Sequence, residues 1–323
     1  MYSEYLKFVE EQFEKCFTEK GYLQEKPVKI TSRIDSSVIF IGSSISPMKK
    51  YVLNQTIGDN GRYLIQNSIR TQALKNIQNS ELSMFGSYFK SMGALVMYRD
   101  LEKLVLDVFD YLTKYLKIPF DDIRLRINSE DIDLIDSIKQ LDRRVIREYN
   151  TFGDKYYKHK YGLDIEQIKG RNFNIGIRKK GTDLFLDIGN VIVIENDIEK
   201  IAVEVALGNC TLSMCYFGVN STIAGSRMAD IFKIDTVEKM KFADAIIVGA
   251  ILMYENIKTI KHPRWFIYNF RKYCVAIKFW KEKLNLEYNV IAEYMKLFLL
   301  LEYNVDIKLS NEEIINYIKV LNS

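Results

Sequence analysis

Residues 2–20 carry Tyr5, Phe8, Val9, Phe13, Cys16 and Phe17 at intervals of three and four, which predicts an amphipathic helix that Gly21 stops. The texture then changes. Between 28 and 72 the runs VKITS, SSVIFIG, KKYVLNQ and RYLIQNSIRT are short, rich in strand formers and separated by Asp, Gly and Ser. ELSMFGSYF (81–89) predicts a further strand. Leu101, Leu104, Val105, Val108, Leu112 and Tyr115 share one helical face, and that helix ends before Pro119. IRLRI (123–127) predicts a strand, and a charged helix is expected near 130–148. The stretch 150–181 is polar and aromatic with little period. LFLDIGNVIVIEN, KIAVEVALGN and TLSMCYFGV predict three strands, SRMADIFKI opens a helical region, and every segment from 237 onward has a helical pattern. The expected fold is α+β: a mostly antiparallel sheet flanked by helices (1–236), then an all-helical domain (237–323). No internal repeat is visible.

Composition narrows the class. A 323-residue chain with 48% hydrophobic and 27% charged residues is globular and long enough for two domains. Cys16, Cys210, Cys215 and Cys274 form neither a disulfide framework nor a CxxC zinc pair, and two histidines make a His-rich metal site a poor expectation. The opening segment is an acidic amphipathic helix, not a signal peptide, and no apolar run approaches a membrane span, so a cytoplasmic protein is expected.

No Walker A loop, GxGxxG or GxSxG is present. Two arginines stand at strand boundaries: Arg70 ends YLIQNSIR, and Arg227 follows FGVNSTIAGS at a helix entry. Each could fork two N–H groups onto a phosphate, or serve as an ordinary salt-bridge partner. Asp187 and Glu195 flank IGNVIVI; eight apart, they share strand parity unless a bulge intervenes, and paired acids can bind Mg²⁺. Cys210 and Cys215, read on a strand, face opposite sides and suit the core. Between Lys239 and Lys283 ten basic residues face three acidic ones, about +7 in a chain of +4 overall. Phe266, Phe270, Tyr273, Ile277 and Leu284 form an apolar stripe there, while Arg264, Arg271 and Lys278 recur every seven on the other side. That face suits a nucleic-acid backbone or plain solvation.

Several collinear segments resemble the class II catalytic core of alanyl-tRNA synthetase, over roughly residues 5–280. FTEKGY resembles the end of that family's first helix. IDSSVIFIGSSISPMKKY is similar to D-P-T-L-L-F-T-N-A-G-M-x-x-F-K, keeping Asp35, Met48 and Lys49. QNSIRTQALKNI resembles Q-x-C-I-R-x-N-D-I-E-N-V, SELSMFGSYF resembles T-F-F-E-M-L-G-N-F-S, and LTKYLKIPFDDIRLRI resembles L-T-x-x-L-x-I-P-x-x-R-L-x-V-T-V. LDIGNVIVIEN is similar to E-I-W-N-L-V-F-M-Q, VNSTIAGSRMADIF to V-D-T-G-M-G-L-E-R-L-A-A-V-L, and RWFIYNFRKYCVAIKF to R-V-I-A-D-H-I-R-A.

The resemblance implies an antiparallel class II sheet that binds ATP with Mg²⁺. Arg70 would grip the α-phosphate as the motif 2 arginine and Arg227 the γ-phosphate as the motif 3 arginine. Asp187 and Glu195 would assist ATP and metal, and Asn190, Val193 and Asn220 would line the amino-acid pocket. The implied reaction is attack of an amino-acid carboxylate on the α-phosphorus, giving an aminoacyl-adenylate for transfer to tRNA or another acceptor, with Arg264, Arg271 and Lys278 facing RNA. Departures also follow from the comparison. About nine residues of the motif 2 loop are missing, Ser83 replaces its glutamate, Thr222, Ala224 and Ser226 alter motif 3, and Asn220 replaces an aspartate that pairs with the substrate ammonium. No HxxxH pair is present, so no editing domain is expected. The alternative is a catalytically degenerate paralogue that binds tRNA or a protein; an amide-forming ligase on the same fold is a third reading.

Overall fold

The computed structural model describes residues 1–161, 167–255 and 264–320. Its centre is one sheet, in the order β1 (Leu23–Gln24), β2 (Arg62–Ile69), β3 (Tyr88–Met97), β9 (Lys200–Gly208), β8 (Phe185–Glu195), β7 (Lys169–Arg178), β4 (Ile123–Ile127) and β5 (Ile146–Tyr149), with β6 (Lys158–Lys160) also on β7. Among the described residues only the edge pairs β1–β2 and β4–β5 are parallel. The expected antiparallel sheet is therefore present, with parallel strands added at its two rims.

One face of the sheet is covered by α1 (Tyr2–Glu19) and α3 (Leu101–Asp110). Their apolar stripes set this: Leu6, Val9, Phe13, Cys16 and Phe17 are fully buried, as are Leu104, Val105 and Val108. The opposite face carries α2 (Ile45–Leu53), whose Ile45, Met48 and Val52 pack on Leu64, Ile192 and Ile194. The short α4 (Ile132–Ser137) lies beyond β4, and α5 (Asn209–Phe217) follows β9 directly. The tail is helical: α6 (Val237–Tyr254), α7 (Arg264–Lys283), α8 (Tyr288–Tyr303) and α9 (Asn311–Val320). Its core takes in Ile30, Phe40, Ile69 and Tyr88, and the buried Trp280 indole donates to the Ile77 carbonyl at 2.7 Å. Secondary structure changes class at Val237; the packing crosses that point.

Six segments depart from the sequence expectation; ELSMFGSYF contributes only Tyr88 and Phe89 to β3, and the other five depart for local reasons. KKYVLNQ lies in α2, because Ile45, Met48 and Val52 sit at helical intervals and Pro47 falls in the first turn, where a missing N–H costs nothing. TLSMCYFGV is α5: every residue from Asn209 to Cys215 is buried, so no helical period shows, and Gly218 at φ +70° ends it. VKITS and SSVIFIG form no strand; the Gln66 side chain pairs with the Val28 backbone instead, donating to its oxygen at 2.8 Å and accepting from its nitrogen at 2.9 Å. The helix expected over 130–148 stops at Ser137, and Arg147 collects the carbonyls of Leu141 and Val145 at 3.0 and 2.8 Å. Strands β3 and β7 were hidden because Ser91 and Gly93 in one, and Gly170, Asn172, Asn174 and Gly176 in the other, interrupt their apolar residues.

Candidate active site

The α2 side of the sheet opens into a cleft of about 820 Å³, within the range of small-molecule sites. Its floor is formed by Glu204 and Ala206 of β9, Asp187, Asn190 and Ile192 of β8, and Asn174 of β7; its walls include Lys49, Arg70, Phe89, His159 and Tyr161.

Arg70 sits at the mouth. Its Nε donates to the Gly42 carbonyl at 3.2 Å, its guanidinium lies 5.1 Å from the Phe89 ring, and it makes no ion pair among the described residues. The crowding walls lower its pKa, against the pull of Glu204, yet an arginine stays charged. This is a cation held ready for an anion.

Glu204 lies at depth, only 2% exposed, and accepts from the Tyr161 hydroxyl at 3.1 Å. Burial pushes its pKa up to about 7, despite Tyr161 and the positive charges of Arg70 and Lys49. Beside it His159 donates from Nδ1 to Asn172 Oδ1 at 2.9 Å, and its Nε2 accepts from Asn190 Nδ2 at 3.3 Å. That arrangement requires a neutral ring, in keeping with a pKa lowered by burial and by Arg70. Lys49 is paired with Asp35 at 2.7 Å and donates to the Tyr161 carbonyl at 3.0 Å; burial opposes ionisation of Asp35, but Lys49 and Ser37 hold its pKa below the usual range.

Of the residues singled out in the sequence, the cleft brings together Arg70, Asp187 and Asn190, with Asp35, Lys49, Cys210 and Thr222 also in its lining. The others lie elsewhere. Arg227 opens a 3₁₀ turn (Arg227–Asp230) and is buried against Glu10 of α1 at 3.0 Å and Glu302 of α8 at 3.1 Å, so both its Nη groups meet carboxylates. The strand-to-helix passage that reaches the cleft is β9 into α5, where Cys210 and Thr211 stand and no arginine does. Val193 is buried on the opposite face, with α1 and α3; its neighbour Ile192 is the residue that faces the cleft. Asn220 is exposed in the loop after α5, accepting from Lys179 Nζ at 2.5 Å, away from the cleft lining.

The metal expectation is corrected as well. Asp187 and Glu195 stand eight residues apart on β8, roughly 26 Å of strand, and register shifts at Ile175/Gly176 and Ile194/Glu195 break the assumed parity. Asp187 is bonded to Arg126 and the Tyr156 hydroxyl, and Glu195 to Arg171 at 2.9 Å through both oxygens. No group of three His, Cys, Asp or Glu side chains suited to a metal occurs among the described residues. These carboxylates do not fit Mg²⁺.

On α7, Phe270, Tyr273 and Ile277 are buried while Arg271 and Lys278 are exposed; the Arg264 and Phe266 side chains lie outside the described residues. No described helix is long and apolar enough to cross a membrane.

Glu204, His159, Tyr161 and Asn174 are the site residues that sequence reasoning missed. One had a legible signal: Glu204 is a lone acid inside the apolar run IAVEVALG.

Comparison with known proteins agrees with the resemblance. The chain is similar to the alanine–tRNA ligases of Halalkalibacterium halodurans (24% identical) and Listeria innocua (27% identical), over 188 residues that make up 56% of this chain and 19% of each relative. The matched stretch is thus about a fifth of the relatives' length. No protein-family model matches. Among solved structures, Desulfitobacterium hafniense pyrrolysyl-tRNA synthetase aligns over 68% of this chain and 71% of its own at 12% identity with a TM-score of 0.42. Entamoeba histolytica aspartyl-tRNA synthetase covers 70% and 57% at 12% identity and 0.41. Over the 188 matched residues the chain is similar, at low identity, to class II synthetases of the alanine–tRNA ligase kind.

Proposed function

We propose that the cleft binds an amino acid as its zwitterion and activates it with ATP. One observation supports the reading above the rest: a single cleft holds an unpaired cation, Arg70, at its mouth and a buried acid, Glu204, at its floor. The substrate ammonium would displace the proton of Glu204, and Arg70 would face the carboxylate and the α-phosphoryl group. In the step itself a carboxylate oxygen bonds to the α-phosphorus, the bond from that phosphorus to the bridging oxygen breaks, and pyrophosphate leaves with the electron pair. Arg70 would offset the charge that builds on the phosphoryl oxygens. The residues contribute position and charge, which is what such a transfer needs from a protein. The adenylate would pass to tRNA or another acceptor, with Arg271 and Lys278, and Arg264 by sequence, as the RNA-facing residues.

ATP–pyrophosphate exchange across the twenty amino acids tests the reading. Exchange is expected with one amino acid or a narrow group, and Arg70→Ala should lower it on the order of 10²–10³-fold. Exchange unchanged in Arg70→Ala sinks the assignment of that arginine.

A second reading, a binding module without activation, is favoured by Arg227: its guanidinium is neutralised by Glu10 and Glu302 outside the cleft lining, which leaves one cleft arginine for a triphosphate. Calorimetric binding of an amino acid with no exchange in any well would decide for it.

A further inference from the structure

The walls around Glu204 bear on which side chain the amino acid carries. Asn174 and Asn190 are directly opposed across β7 and β8, so their side chains leave the same face as neighbours. Asn190 spends its Nδ2 on His159 Nε2, and Asn174 turns its Nδ2 to the Tyr156 carbonyl at 3.5 Å. Both residues line the cleft, their Nδ2 groups are engaged, and no hydrogen bond to either Oδ1 is found among the described residues. Asn174 is 7% exposed, so an apolar ligand group placed against it would leave a buried acceptor unmatched. The next acid along the floor, Asp187, already faces Arg126 and Tyr156, so it offers no net charge to a second cation. The floor beyond Glu204 is rich in acceptors and near neutral.

We infer that the cleft selects an amino acid whose side chain is uncharged and carries N–H or O–H donors, an amide or a hydroxyl, read by Asn174 and Asn190. This rests on the zwitterion reading above, with Glu204 taking the α-ammonium. An alkyl side chain fails because it strands two acceptors, and a lysine or arginine side chain fails because Arg126 has already met the available carboxylate. Discrimination of this kind comes from the polar groups the site leaves unpaired, not from fit alone.

The test is isothermal titration of the full chain with the twenty amino acids. Asparagine, glutamine, serine or threonine is expected to bind at least about ten-fold tighter than alanine, valine or lysine. In Asn174→Leu/Asn190→Leu that preference should vanish. The panel on the unmodified chain decides the matter even if the double variant folds poorly. Alanine or valine binding as tightly as the amides and alcohols overturns the specificity and leaves the zwitterion site standing. Binding of no amino acid overturns both.

Discussion

Glu204→Gln is expected to stabilise the protein at pH 8 and to cost it its affinity for amines. In the unfolded chain this carboxyl titrates near its ordinary 4.5; in the folded protein burial raises it to about 7. Between those values the folded state keeps a proton that the unfolded state has lost, so stability falls as pH rises from 4.5 to 7 and is level above. Glutamine never ionises and escapes that loss, while its oxygen can still accept from Tyr161. Wild type and variant should therefore match near pH 4.5 and below, and differ above pH 7 by on the order of 3 kcal/mol in favour of the variant. Urea denaturation at pH 5 and pH 8 measures the difference. Equal stabilities at pH 8 would mean that the carboxyl is not held neutral by its surroundings. The binding half of the prediction has the opposite sign: amine affinity in the wild type should climb through pH 7 as Glu204 ionises, and the variant should show neither the climb nor the affinity. A residue that weakens the fold and strengthens the ligand is the signature expected of a site, since a purely structural glutamate gains nothing from being buried without a positive partner.

The sequence showed the frame of this molecule better than its centre. Helix α1 and the long helix from Leu101 follow from one buried stripe each and a clear stop at Gly21 or Pro119; β2, β4, β8 and β9 follow from short apolar runs rich in strand formers between turn residues, although β8 and β9 are buried on both faces. Helix α5 was lost because burial on all sides leaves it no period, and β3 and β7 because Ser91, Gly93, Gly170, Asn172, Asn174 and Gly176 break up their apolar runs. The site suffered from the same blindness. Arg70 was legible because it ends a strand, and Asn190 because its segment resembles a known one. Arg227 was placed by a string similar to motif 3, yet the strand that enters a helix beside the cleft lies some twenty residues earlier, at β9 and α5. A short similarity without its strand cannot tell those two places apart. Val193 shows how little is needed to go wrong: one residue along β8 changes the face, and Ile192 is the side chain in the cleft.

Removing Glu302 should be the most damaging single change outside the cleft. Its side chain is 1% exposed on α8 and accepts from Arg227 at 3.1 Å, Lys90 at 2.8 Å and the Tyr88 hydroxyl at 2.8 Å. Glu10 meets the same two cations from α1, at 2.8 Å to Lys90 and 3.0 Å to Arg227, and accepts from Asn209 at 2.8 Å. Two carboxylates thus balance two cations, joining α1, β3, the 227–230 turn and α8. Glu302→Ala leaves Arg227 and Lys90 buried with one carboxylate between them, and breaking a buried pair from one side costs about 3–5 kcal/mol. The loss should not scale with the number of bonds removed, because most of it comes from the stranded charge. Glu302→Leu combined with Arg227→Met should therefore cost less than Glu302→Leu alone, a coupling that a double-mutant cycle in urea reads directly. Acid should act on the same element. Burial opposes ionisation of Glu302, but Arg227 and Lys90 outweigh it and keep its pKa below the ordinary value, so its contribution is present above about pH 4.5 and is lost as pH falls through the depressed value. The wild type should thus unfold in acid more steeply than the double variant. If Glu302→Ala proves as stable as the wild type, the network contributes nothing net to stability, and Arg227 is held by Glu10 alone.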